Sequence, residues 1–224
     1  MFWTIFVVCF IIVVVFLLKL NYYLDGRRRA AMGRAAAALG YQFLGPRYLT
    51  SMREGYPTRL LRARGRMTNV MVGNVGCTMA IVFDDVMCTG DSNKTQTVAG
   101  FHVQLPAFEM RRRMMGDRLG STPDTISFSY HQEFDPCYVV RTPDGPATRQ
   151  LLAPEVLTSL VEQSTSSPYA WAIESTGEWL FIFRDQRPEI FSWMSFAGSE
   201  WKVPPANVPA FLQEAATIAA IFGV

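Results

Sequence analysis

His131, Glu133 and Asp135 alternate in the run HQEFD, so an extended chain would bring all three to one face. Such a trio could hold zinc, or supply an acid and a base for hydrolysis. A fourth ligand is not evident, and Pro136 follows directly, which favours a solvated loop. His102, the other histidine in the chain, is the remaining candidate to approach the trio. The stretch TGDSNKTQT, Thr89 to Thr97, places a Gly and a Lys-Thr pair close together, as phosphate-binding loops do. A phosphate cradle, however, needs glycine before the lysine and another five residues earlier, because bare backbone amides must wrap the phosphates. Asn93 and Cys88 stand at those two positions. The stretch therefore predicts a turn between two strands, and no nucleotide is expected.

Asp84-Asp85 ends an apolar run. A magnesium site there would need further oxygen ligands, and the expectation is two solvated carboxylates at a strand end. No G-x-S-x-G occurs, and no cysteine stands in a convincing histidine-paired context. The chemistry-bearing residues thus imply no cofactor, and they lean away from an enzyme. The alternative is a membrane-tethered, metal-dependent hydrolase built on His131, Glu133 and Asp135.

The elements that would carry these residues begin with the most apolar part of the chain. Phe2 to Leu18 reads FWTIFVVCFIIVVVFLL. As a helix it spans about 26 Å, close to the ~30 Å of a hydrocarbon core, with Leu20 to extend it and Lys19 to snorkel. Trp3 and Tyr22-Tyr23 are suited to the two interfaces. A cleaved signal peptide would want a basic start and a small-x-small cleavage site, and neither appears before Asp25. Lys19, Arg27, Arg28, Arg29 and Arg34 all follow the span, which predicts a single pass with the N-terminus outside and the rest in the cytoplasm. Lys19, Arg27, Arg28 and Arg29 are then the lipid-facing candidates. Cys77, Cys88 and Cys137, odd in number and without CxxC spacing, suit a reducing compartment.

The chain of 224 residues carries a net charge of +2, too slight for a nucleic-acid footprint. Residues 1–24 read as the anchor, 25–57 as a basic juxtamembrane helix and linker, and 58–224 as a soluble domain, with 58–120 and 121–224 as conceivable subdomains. The basic helix is Arg27 to Leu39, stopped at Gly40. Strands are expected at Thr58–Arg64, Thr68–Val75, Cys77–Asp84, Gln96–Leu105, Ile126–Ser129 and Tyr138–Arg141. In Gln96–Leu105 the alternation puts Ala99, Phe101, Val103 and Leu105 inside and Val98, His102 and Gln104 in water. Ala107–Leu119 reads as a short helix or irregular turn. A helix over Pro154–Gln163, a hairpin over Tyr169–Ser175 and Glu178–Arg184, and a final helix Val208–Phe222 capped by Asn207 complete the pattern. The class is α+β with a mainly antiparallel sheet.

Two surfaces are candidates for a partner. Arg111, Arg112 and Arg113 form a basic cluster, and Ile190–Trp201 holds Phe191, Trp193, Phe196 and Trp201 between the hairpin and the last helix. Exposed, that aromatic segment would mark a contact; folded back, it would be core.

The runs QTVAGFHVQLPAFEMRR, ISFSYHQEFDPCYVVR, LLAPEVLTSLVEQ and YAWAIESTGEWLFIFR occur in that order. They resemble a family of uncharacterised bacterial single-pass membrane-anchored proteins of unknown function, over about residues 27–220. The resemblance rests on apolar, Pro and Gly spacing and implies no active site. Ile190–Trp201 departs from it as an apparent insertion. Together these readings predict a membrane-anchored, cytoplasm-facing interaction domain whose partners are the lipid bilayer and a protein.

Overall fold

The computed structural model describes residues 2–45, 65–89, 92–113, 124–167, 169–185 and 202–224. The expected strand at Thr58–Arg64 and the aromatic segment with Phe191, Trp193, Phe196 and Trp201 lie outside the described residues.

The chain opens with one helix, α1 (Phe2–Ala38), where the sequence suggested an apolar span and a separate basic helix. Gly26 does not break it, because Leu, Ala and Arg on either side are strong helix formers. Its first half is long and apolar enough to cross a membrane, and none of the most apolar stretch is buried against the rest of the protein. Its end is a two-bond stop: the Tyr41 amide donates to the Ala36 carbonyl and the Gly40 amide to that of Ala37. Gly40 takes φ +70°, the left-handed conformation that this stop requires.

Among the described residues nine strands follow in a single sheet: β1 (Gln42–Gly45), β2 (Gly65–Val75), β3 (Thr78–Thr89), β4 (Ser92–His102), β5 (Phe108–Arg112), β6 (Thr125–Ile126), β7 (Tyr138–Arg141), β8 (Ala170–Ser175) and β9 (Trp179–Asp185). Their spatial order is β1-β2-β3-β4-β9-β8-β5-β7-β6, with every pairing antiparallel. Strands from residues 58–120 and 121–224 therefore interleave in one sheet. Between β4 and β5 the chain rounds the β8–β9 turn, where the Val103 and Leu105 amides donate to the carbonyls of Glu178 and Gly177. Short helices α2 (Phe134–Cys137) and α3 (Gly145–Leu151) flank β7; α4 (Pro154–Ser166) precedes β8; a 3₁₀ turn (Pro205–Asn207) leads into α5 (Val208–Ile221).

One sheet face is covered by helices. Met32 and Ala36 of α1, Leu157 and Leu160 of α4, and Phe211, Ala215 and Ile218 of α5 pack on Val82, Phe101, Met110, Ile173 and Ile182. The other face has its own buried cluster, including Ile81, Phe83, Val98, Phe181 and Phe183.

Several expectations change here. Val98 is buried rather than wet, because β4 is an interior strand with buried side chains on both faces, while His102 and Gln104 are exposed as expected. The strand stops at His102 rather than Leu105. Ala107–Leu119 is not helical at its start: Phe108–Arg112 is β5, held between β7 and β8, so ladder bonds and the burial of Phe108 and Met110 prevail over local preference. Asn207 makes no side-chain cap; the 3₁₀ turn feeds α5 directly. The TGDSNKTQT stretch is the end of a hairpin, with β3 and β4 paired down to Thr89 and Ser92.

Gly73 lets the Tyr41 ring lie flat on β2, where its hydroxyl donates to the Asn74 carbonyl at 3.3 Å. A Cβ at Gly73 would clash with that ring. Gly73→Ala is therefore expected to cost about 1–3 kcal/mol by overpacking, read as a lower urea midpoint of the full chain in detergent.

Candidate functional site

Among the described residues Asp84 stands out as a buried carboxylate that accepts four hydrogen bonds. It lies mid-strand in β3, between Thr68 of β2 and Thr97 of β4, on the helix-covered face. The residue is 1% exposed, against the expectation of a solvated strand end. Next to it β2 bulges between Thr68 and Met71, and Asn69 there takes φ +53°, a conformation Asn tolerates better than most residues.

Four donors converge on the carboxylate. Asn69 Nδ2 reaches Oδ2 at 2.8 Å and the Thr97 hydroxyl reaches Oδ1 at 2.9 Å. Arg28 supplies a fork, Nε to Oδ2 at 2.8 Å and Nη2 to Oδ1 at 2.7 Å. Each carboxylate oxygen thus accepts two hydrogen bonds, the condition under which a buried charge is tolerated. The network runs on: Arg28 Nη1 donates to the Val203 carbonyl at 3.0 Å, and the Val203 amide donates to Thr97 Oγ1 at 2.9 Å. One ion pair, with its carboxylate buried and its guanidinium half-buried, therefore joins α1, three strands and the segment that leads into α5.

Arg28 was a lipid-facing candidate, and the structure turns it inward. Arg28, Met32 and Ala36 recur every four residues, so they share the face of α1 that packs on the sheet. Lys19, Arg27 and Arg29 remain exposed along the helix, with the Arg27 guanidinium 5.8 Å from the Tyr23 ring.

The other candidates separate. In β5 the alternation splits the basic cluster: Arg112 is exposed, Arg111 lies 3.7 Å from the buried Glu109, and Arg113 donates to the Asp135 carbonyl at 2.6 Å and to that of Tyr138 at 3.3 Å. The three do not form one basic surface. His131, Glu133 and Asp135 are not an extended trio either, because α2 begins beside them. His131 Nε2 pairs with the Thr158 hydroxyl at 3.2 Å. That hydroxyl already donates to the Pro154 carbonyl, so the imidazole is the donor. Asp135 accepts from the Ser127 hydroxyl and, at 3.0 Å, the Phe128 amide. Glu133 is exposed at the start of α2. His102 packs edge-on against Trp179, in another part of the sheet. Among the described residues no group of three or more His, Cys, Asp or Glu is placed to hold a metal ion.

A second tie fixes α5 to the β8–β9 hairpin. The Arg184 guanidinium stands 3.5 Å from the Tyr169 ring centroid and 5.5 Å from that of Phe211, and reaches Glu214 at 3.2 Å. Sequence reading missed Asn69, Thr97 and Arg184. For Asn69 the sole local sign is an Asn in the midst of an apolar strand.

No family model matches the chain, and no curated protein matches it. Among solved structures, the fold is similar to the crystal structure of the mycobacterial trehalose monomycolate transport factor A, TtfA. The TM-score is 0.54 at 14% identity, covering 88% of this chain and 91% of that one. At that identity the likeness is one of fold.

Removing one partner of the buried pair strands the other. Arg28→Met alone, or Asp84→Leu alone, is expected to cost about 3–5 kcal/mol, whereas the double variant should recover much of that loss. Urea unfolding of the four proteins in detergent, combined as a double-mutant cycle, measures the coupling. A separate pH effect comes from Tyr138, stacked on Phe134, whose phenol is raised above its ordinary value near 10 by burial. The folded state favours the neutral phenol, so the unfolded chain ionises first and stability falls as pH rises through about 10. Tyr138→Phe is expected to lessen that fall, compared by urea midpoints at about pH 9 and 11.

Proposed function

We propose that this protein is a membrane-anchored, cytoplasm-facing interaction protein without catalytic activity, whose domain is held in a set orientation beside the bilayer for a protein partner. The observation that carries this reading is the continuity of α1. An apolar stretch with no protein cover runs without a break into a helix whose Met32 and Ala36 are buried in the domain and whose Arg28 is half-buried against it. A flexible linker would leave the domain free to swivel, and α1 leaves no such linker.

The absence of catalysis belongs to the same proposal. Its support is that Asp84, His131 and Asp135, the groups best suited to chemistry, all have structural partners in the fold. The hydrolase alternative loses its convergent trio for that reason. The class of partner takes its cue from the structural neighbour, a transport factor by name. We infer an accessory role beside a membrane-embedded protein, with Arg112 and the aromatics Phe191, Trp193, Phe196 and Trp201 as the contact candidates.

In-cell cross-linking and pull-down of the full-length chain tests the reading. A dominant membrane partner is expected, lost in a Phe191→Ala, Trp193→Ala, Trp201→Ala variant that keeps its circular dichroism spectrum. An empty pull-down from cross-linked membranes would remove the partner claim. Orientation has its own test in Cys77, which is exposed at the β2–β3 turn. A membrane-impermeant maleimide is expected to modify it only after the cells are permeabilised, and modification in intact cells would reverse the topology.

A further inference from the structure

The register between α1 and the sheet sets where the sheet stands relative to the apolar stretch. Two contacts define it. Arg28 meets Asp84, and thirteen residues further along the chain Tyr41 meets Asn74 of β2. Asn74 pairs with Met79 of β3, so β3 runs from the Tyr41 level back toward the Arg28 level, counter to α1. The lengths agree: Arg28 to the helix end at Ala38 rises about 15 Å, and Met79 to Asp84 spans about 17 Å.

Beyond Asp84 both elements continue in the same opposed sense. β3 runs five more residues to Thr89, about 17 Å, with β4 paired to it throughout. Over the same interval α1 runs back ten residues to Leu18, about 15 Å, which is the end of the apolar run. An inclination of the helix to the strands of about 40° would shorten the strand's reach to about 13 Å, level with Lys19. Either way the hairpin end comes level with Leu18 and Lys19, with Tyr22 and Tyr23 about one helical turn nearer Arg28. Lys19 and the tyrosines are exposed there, and Arg27 and Arg29 are exposed one turn or two beyond. Cations and tyrosines at the end of an apolar helix belong at the headgroup layer.

We propose that the Thr89/Ser92 end of the β3–β4 hairpin stands on the lipid headgroup surface, as a second point of contact beside the helix. The occupant of that surface is the bilayer itself, continuous with the anchor. This inference rests on the membrane reading of α1. With the Arg28–Asp84 pair it makes the sheet a strut rather than a tethered body: the opposite end, at Cys77, is carried some 35 Å away from the lipid.

The test uses the full-length chain in vesicles of phosphatidylcholine and phosphatidylglycerol. Cys9, Cys88 and Cys137 are replaced by Ala. A bimane is placed either at native Cys77 or, with Cys77→Ala, at Ser92→Cys, and the vesicles contain headgroup-nitroxide lipid. After an alkaline wash the protein is expected to float with the vesicles, and Ser92 bimane to be quenched several-fold more than Cys77 bimane. Flotation with equal quenching, or with stronger quenching at Cys77, overturns the strut and leaves the anchor standing. Failure to float overturns both. Hydrogen exchange on the unsubstituted chain provides a second readout free of cysteine changes. Amides around Thr89 and Ser92 are expected to exchange several-fold more slowly in vesicles than in lipid-free micelles, with the Cys77 turn unchanged; equal rates in the two media overturn the proposal.

Discussion

A carboxylate buried in the middle of a sheet is tolerated only if the fold delivers donors to it, and Asp84 imposes that demand on four parts of this protein. The strand bulge supplies Asn69, the neighbouring strand supplies Thr97, the long helix supplies the Arg28 fork, and the segment before α5 closes the ring through Val203. A hydrophobic contact at the same place would let α1 slide or rotate at little cost, since apolar attraction has no direction. A bidentate ion pair permits one rotation and one depth. Such a pair adds little to stability against an apolar substitute, so its contribution is best sought in the register that it defines.

That register gives the remaining architecture its sense. The described helices lie on one face of the sheet, and the order of strands places β9 and β8, late in sequence, between β4 and β5. The long-range pairs β4–β9 and β5–β8 tie the early and late halves together, so neither half has a complete sheet by itself. The Arg184 cluster then secures α5, whose upstream segment shares the Asp84 network. Helix, sheet and C-terminal segment are linked through two small groups of polar contacts over a large apolar core.

Asp84, His131 and Asp135 each have hydrogen-bond partners within the fold. The exposed charges on α1, Lys19, Arg27 and Arg29, line the approach to the apolar stretch.

Local physics made much of this readable from the chain. The apolar run, the basic flank, the Gly40 stop, the β7 strand, the α4 and α5 helices and the β8–β9 hairpin all follow from periodicity, propensity and turn residues, which depend on near neighbours alone. Leu157, Leu160, Phe211 and Ile218, spaced at helical intervals in those two helices, are core. Tertiary structure decided the rest. Val98 is buried because β4 has buried neighbours on both faces, and Phe108–Arg112 is a strand because β7 and β8 flank it. His131 and Asp135 part company because α2 begins between them. Arg28 sat in sequence among Arg27 and Arg29 with nothing to distinguish it. What singles it out is a carboxylate fifty-six residues away, and a pairing at that separation is set by how the whole chain folds.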